Sequence, residues 1–412
     1  MTAFFQQTSA AALPGQRSEA ITKSLVKFIC KDMRPISIVE GDGFREFCSE
    51  MESRYQIPSC TTISRNIVKL YDTTRANVKQ ILHDCKDIAL TTDGWTSLAT
   101  DAYVTVTAHC ITDSWELQDF VLQTKELRGS HTEENVAECI SEILDDFNIR
   151  ESVIAVTTDN ALNYVNAVER YLNLVNIPCV AHTINLAILD RSKEHLPDLK
   201  VRLHISIVKN FASSEIPEIK EMKNKIYSDL SLRYDKKERQ STFMLLNKTS
   251  FFDPRFHRLI HLSEQEKRQV QEEIQTEVIQ RFVNETGLVK EHGSSENKEA
   301  SRKTALTAMG DLFGDTYTCG QEETCEIQLM QEMMCYVKET PLSADSNPLE
   351  WWKKSGLKYP HLAKLAKKYL CVPGTSVCSE RVFSTAGNIV NKKRAALDPE
   401  QVDRLVFLAN NI

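Results

Sequence analysis

Residues 88–107 read IALTTDGWTSLATDAYVTVT, and the fold class turns on how this stretch is taken. Ile88 to Thr92 is a short apolar, β-prone run that stops at Asp93-Gly94, a dipeptide that favours turns. Tyr103 to Thr107 alternates apolar and hydroxyl side chains with period two, the pattern of a half-buried strand. Asp113-Ser114 reads as a turn and Leu117 to Leu127 as a third strand, so the three runs form a meander. A helix is predicted from Glu133, with Val136, Ile140, Ile143, Leu144 and Phe147 on one face, and Val153 to Thr158 then forms a buried-type strand ending at Asp159.

Three antiparallel strands, a helix and a further strand point to a mixed sheet with one parallel pair, whose ligands sit beyond the strands' carboxyl ends. If the first and fourth strands are neighbours, Asp93 and Asp159 stand side by side. Two carboxylates so placed suit a hard divalent cation. Asp-Gly and Asp-Asn are also common turn dipeptides, so a purely structural role stays open for both.

Outward from this core, 1–15 reads as a disordered tail and 16–86 as an all-helical unit. The sheet region spans 87–214, and 160–190 reads as helical, broken at Pro178. Cys179-Val180-Ala181-His182 offers a sulfur and an imidazole. With no second pair following, a packed cysteine is the preferred reading and no structural zinc is expected. Residues 215–340 are helical and polar, with a linker at 292–304, and 341–412 closes the chain. There Asp398-Pro399 caps a terminal helix carrying Val402, Leu405, Val406 and Ala409 on one face. Glu380 stands on another helix beside Val382 and Phe383, as a solvated acid or a third ligand.

A net charge of −7 argues against coating nucleic acid wholesale; Lys392, Lys393 and Arg394 read either as a solvated loop of like charges, the preferred reading, or as one local basic contact. Twelve cysteines without a Cys-x-x-Cys pair read as reduced thiols. No window approaches the roughly 20 apolar residues of a membrane span, and the first residues lack a secretory pattern. A cytosolic or nuclear protein with no membrane partner is expected.

The stretches LTTDGWTS, VTTDNALN and CVAHTINL, with the block NPLEWWKKSGLKYPHLAKLAKKYL and SERVFSTAGNIVNKKRAALDPEQVDRLVFL, resemble the hAT transposases and their domesticated relatives among zinc-finger BED-domain proteins. The resemblance implies a ribonuclease H-like sheet interrupted by a helical insertion. It further implies Asp93, Asp159 and Glu380 as catalytic and metal-binding residues for Mg²⁺ or Mn²⁺, His182 near them, and phosphodiester attack as the chemistry. It also makes the C-terminal block a dimerisation region, for which Trp351, Trp352, Leu362, Leu365, Tyr369, Val402, Leu405 and Val406 are the expected contacts.

Three departures accompany it. No zinc-binding BED pattern precedes the helical unit, and the four tryptophans, Trp95, Trp115, Trp351 and Trp352, leave the family's base-stacking position after the Cys-x-x-His element empty. The insertion after Ser214 also looks shortened. The expected protein is a domesticated, non-catalytic nuclear protein that forms a homodimer or higher oligomer and associates with DNA or regulates transcription; the alternative is an active metal-dependent nuclease or transposase.

Overall fold

The computed structural model describes residues 13–96, 102–127, 129–185, 240–286, 325–382 and 399–412, with Asn224 and Ser228. The tail's first residues, the linker at 292–304 and the basic triplet Lys392, Lys393 and Arg394 lie outside them. The chain divides into two compact units, Met1–Thr242 with Cys371–Ile412, and Phe243–Leu370. The division falls inside the stretch read above as one C-terminal region, 341–412.

The first unit opens with helices α1 (Gly15–Lys31), α2 (Asp42–Met51) and α3 (Cys60–Asp84). Ser59 caps α3 by accepting the Thr62 amide at 3.3 Å. Strands β1 (Ile88–Thr96), β2 (Ala102–Ile111) and β3 (Leu117–Glu126) form the antiparallel meander. Helix α4 (Glu133–Phe147) crosses back to β4 (Val153–Thr158), which lies parallel to β1. After the short helix α5 (Leu162–Asn166) comes β5 (Asn176–Pro178), giving the sheet order β3-β2-β1-β4-β5. The fold is mixed α/β.

Two local expectations are corrected. β1 does not stop at Asp93-Gly94 but pairs with β2 through both residues as far as Thr96. Glycine is required there for space, because a Cβ at Gly94 would come 2.1 Å from the Tyr164 hydroxyl oxygen. Residues 160–190 are not simply helical, since β5 pairs with β4 at 176–178. Three residues ending in a proline at the sheet edge carry too little periodicity to announce a strand.

One face of the sheet is apolar. Leu90, Val104, Val106, Ala108 and Cys110 join one core with Val136, Ile140, Ile143 and Leu144 of α4 and Ile29 of α1. The opposite face carries Thr91, Asp93, Thr105, Thr107, His109 and Thr157, all buried as well. The alternation in β2 therefore separates two buried faces, not a buried face from a wet one.

A helix over 180–185 (α6) follows β5, and a helix over 377–382 (α12) returns the chain to this unit. The last helix, which we number α13 (Pro399–Asn411), packs on β3, α1 and α3. It also seals the sheet edge. Asp403 accepts the Thr124 amide at 2.8 Å, while Asn411 accepts the Val121 amide at 3.2 Å and donates to the Val121 carbonyl at 2.8 Å. A bulge opposite Val106 and Thr107 shifts the β3 register so that Val121 and Thr124 both turn their amides outward. Polar side chains about two helical turns apart thus stand in for a sixth strand.

The second unit contains α7 (Gln240–Phe252), α8 (Glu264–Thr286), α9 (Cys325–Lys338), α10 (Pro348–Ser355) and α11 (Pro360–Leu370). Its centre is aromatic. Trp352 is fully buried and donates its indole N–H to the Phe252 carbonyl at 2.7 Å, and the Tyr336 hydroxyl donates to the Phe251 carbonyl at 2.9 Å. Glu277 is held between Lys368, Lys248 and the Tyr369 hydroxyl. Burial pushes its carboxyl up, but these partners outweigh burial and hold it below the ordinary value.

Candidate acid site

The parallel register pairs Thr91 with Thr157, so Asp93 and Asp159 follow two residues later on the same face. The Asp93 carboxylate accepts its neighbour Gly94's amide at 2.8 Å, and Asp159 accepts the Ala161 amide at 3.0 Å, an Asx turn over Asn160 at φ 75°. Asp93 is buried, and its carboxyl is pushed up to about 7. Burial is the largest cause; the charges of Asp159 and Glu380 add to it, and the Gly94 amide opposes it.

Glu380 adds its charge to that of Asp159 from an exposed position. Its helix, α12, turns Ser379 toward the sheet, where the hydroxyl lies 2.6 Å from Thr91 Oγ1, and leaves Glu380 exposed. Among the described residues, no group of three or more His, Cys, Asp or Glu side chains is placed to hold a metal ion. The two aspartates alone match the habit of Mg²⁺, which takes one or two carboxylates and keeps its waters. Glu380, the third ligand implied by resemblance, stands exposed on α12 with its charge reaching Asp93.

The Cys-x-x-His element resolves into a cap. Cys179 is fully buried, and its sulfur accepts the His182 amide at 3.4 Å and the Ser376 amide at 3.3 Å. Its own amide donates to Thr158 at 2.8 Å, while the next residue's amide, that of Val180, donates to Gly374 at 2.9 Å. Through its backbone amide and its sulfur Cys179 thereby ties β4 to the starts of α6 and α12, and His182 stands half-buried on α6. The following residue, Thr183, accepts from the Asn160 side chain at 2.9 Å. Around the strand ends, Thr92 Oγ1, Asn160 Oδ1, the Tyr164 hydroxyl and Ser376 Oγ are buried without a hydrogen-bond partner. Such groups ordinarily hold water or ligand oxygens.

Most of the side chains expected as dimer contacts are covered within the chain. Trp352, Leu362, Leu365 and Tyr369 are buried within the second unit, and Val402, Leu405 and Val406 within the first. Trp351 is half-buried, its ring stacked on Tyr359 at 6.0 Å. Amphipathic spacing shows that a face is buried but cannot say whether its cover belongs to the same chain. Among its described residues, the large apolar side chains this region exposes are Met330, Met334 and Leu357, with Ile327 at its border. Ile327, Met330 and Met334 share one face of α9.

Residues 91–183 match the ZBED1 RNase-like domain, and residues 328–412 match the hAT family C-terminal dimerisation region. Sheet and match together define a ribonuclease H-like α/β domain, joined in this chain to a dimerisation region. Similar proteins include the putative transcriptional regulator tpeD of Talaromyces stipitatus (strain ATCC 10500 / CBS 375.48 / QM 6759 / NRRL 1006), 27% identical over 42% of this chain and 22% of that protein. The putative AC transposase of Zea mays is 29% identical over 38% of this chain and 21% of its own length. Zinc finger BED domain-containing protein RICESLEEPER 3 of Oryza sativa subsp. japonica is 24% identical over 40% of this chain and 24% of its own. The matched stretch thus spans between a fifth and a quarter of these relatives. The two matched segments and these relatives together support a hAT-transposase-derived protein.

Proposed function

We propose that this chain acts as a non-catalytic, self-associating nuclear protein that joins a second copy of itself through its C-terminal region and associates with DNA. The observation that carries this reading is the exposed Ile327–Met330–Met334 face on α9, at the start of a region matched to a dimerisation module whose other described large apolar side chains, Leu357 apart, are mostly covered within the chain. Methionine-rich faces adapt readily to a partner surface. The solvent-facing Glu380 supports the non-catalytic part. The test is sedimentation equilibrium at micromolar concentration. The wild type is expected to be a dimer, and Met330→Asp with Met334→Asp a folded monomer. A monomeric wild type overturns the reading. Duplex mobility shift and imaging of a tagged chain test the DNA and nuclear parts.

A second reading is favoured by one observation. Burial raises the Asp93 carboxyl most, and the charges of Asp159 and Glu380 add to that rise, a concentration of negative charge that a divalent cation would relieve. A cation bound there would polarise a phosphodiester and activate water. Plasmid nicking with Mn²⁺ that is lost in Asp93→Asn would establish it.

A further inference from the structure

The hydroxyl face of the sheet holds a histidine that neither reading uses. His109 is only 2% exposed. Its Nδ1 lies 2.5 Å from Oδ1 of Asp119, the residue opposite it on β3, and its Nε2 lies 3.0 Å from Thr107 Oγ1. Thr107 Oγ1 is hydrogen-bonded to Thr91 Oγ1, which lies 2.6 Å from Ser379 Oγ. Five side chains from three strands and one helix form an unbroken chain. Its outer end, Asp119, has a half-exposed side chain; its inner end, Ser379, is fully buried beside Glu380.

A chain of this kind has a direction, because each hydroxyl has one proton to donate. The Asp119 carboxylate only accepts, so Nδ1 carries the proton and donates. In the neutral ring this leaves Nε2 to accept from Thr107. Thr107 has then spent its proton and accepts from Thr91, and Thr91 accepts from Ser379. Every donor is assigned from the Asp119 end inward. Hydrogen bonds linked in series also polarise one another, so a change at one end is felt at the other.

We propose that His109 is a positioning residue for the acid site. Anchored by Asp119, it holds the Ser379 hydroxyl as a donor to β1 and so fixes the face that α12 presents to the sheet, with Glu380 outside and Ser379 inside. Losing the Asp119 charge frees Nδ1–H, lets the ring adopt the other tautomer, and turns the hydroxyls about as far as Ser379. The relay requires neither metal nor DNA, so it stands or falls separately from both functional readings.

The test uses the full chain labelled with ¹⁵N-histidine and ¹⁵N-serine, without metal or DNA. His109 is identified through His109→Gln, and the Ser379 amide through Ser379→Ala. The wild type is expected to show His109 as the Nδ1–H tautomer. Asp119→Asn should lose that signature and shift the Ser379 amide resonance by more than its linewidth, with the melting temperature nearly unchanged. Thr107→Val keeps the side-chain shape but breaks the chain, and should abolish the response of Ser379 to Asp119→Asn. A wild-type Nε2–H or doubly protonated ring overturns the proposal. So does a Ser379 resonance unmoved by Asp119→Asn, or a response that persists in the Thr107→Val background.

Discussion

The two faces of the sheet are equally buried and held in opposite ways. On one, Leu90, Val106, Ala108 and Val156 meet the helices through contacts that are numerous and non-directional. On the other, Thr91, Thr107, His109 and Ser379 each have a named partner, and Thr157 donates to the Pro373 carbonyl at 2.8 Å. An apolar face tolerates any filling of the right volume, whereas a buried hydroxyl without its partner costs about 1–3 kcal/mol. The hydroxyl face is therefore where the returning C-terminal segment is told how to lie. The acid pair sits on that face, where geometry is most tightly specified.

The comparison can be broken from either side. The largest effect should come from Leu90→Ala on the apolar face, a loss of about 3 kcal/mol in denaturant unfolding from deleted contacts and the cavity left behind. Next comes Asp93→Asn, in the opposite direction. The Asp93 carboxyl rises from 3.8 unfolded to about 7 folded, so the native state binds its proton more tightly. That contribution to stability is complete below about pH 4 and is lost as pH rises toward 7. The substitution should then raise metal-free stability at pH 8 by on the order of 2 kcal/mol and change it little at pH 4. Thermal melts across that window check both sign and range. A wild type equally stable at pH 5 and pH 8 would contradict it.

The smallest of the three effects should follow Asn411→Ala, which unseals Val121 at the edge of β3. A cost of about 1 kcal/mol is expected, together with faster amide exchange at Val121 while the core strands stay protected. The neighbouring Asp403 has its carboxyl pushed up to about 6 by burial, against the pull of the Thr124 amide and Tyr71. It therefore adds to the fall in stability between about pH 4 and pH 6.

Much of the fold is legible in the sequence. Strand positions, the crossover helix and the parallel placement of β1 and β4 follow from period-two runs and from the order of elements. The acids at the strand ends were equally visible, because a short apolar run leading into an aspartate can be read in one dimension. Less legible were β5, whose three residues have no measurable period, and the Asp93-Gly94 pair, whose glycine answers to Tyr164 seventy residues away. That Ser379 meets the sheet while Glu380 beside it is exposed is equally hard to read, since adjacent helical residues differ by about 100° and nothing local says which one faces inward.

By itself the sequence determined which side chains must leave water. Hydrophobic periodicity sets that wherever the chain folds, so Trp352, Leu365, Val402 and Val406 were bound to be covered. Only the tertiary structure decided what covers them, and the answer is their own chain. It also decided that the threonines of β2 face a second buried layer, that Cys179 is a cap, and that Asp403 and Asn411 close an edge. Each of these depends on a partner far away in sequence, and hydrogen-bond geometry between distant segments leaves no periodic trace in either one.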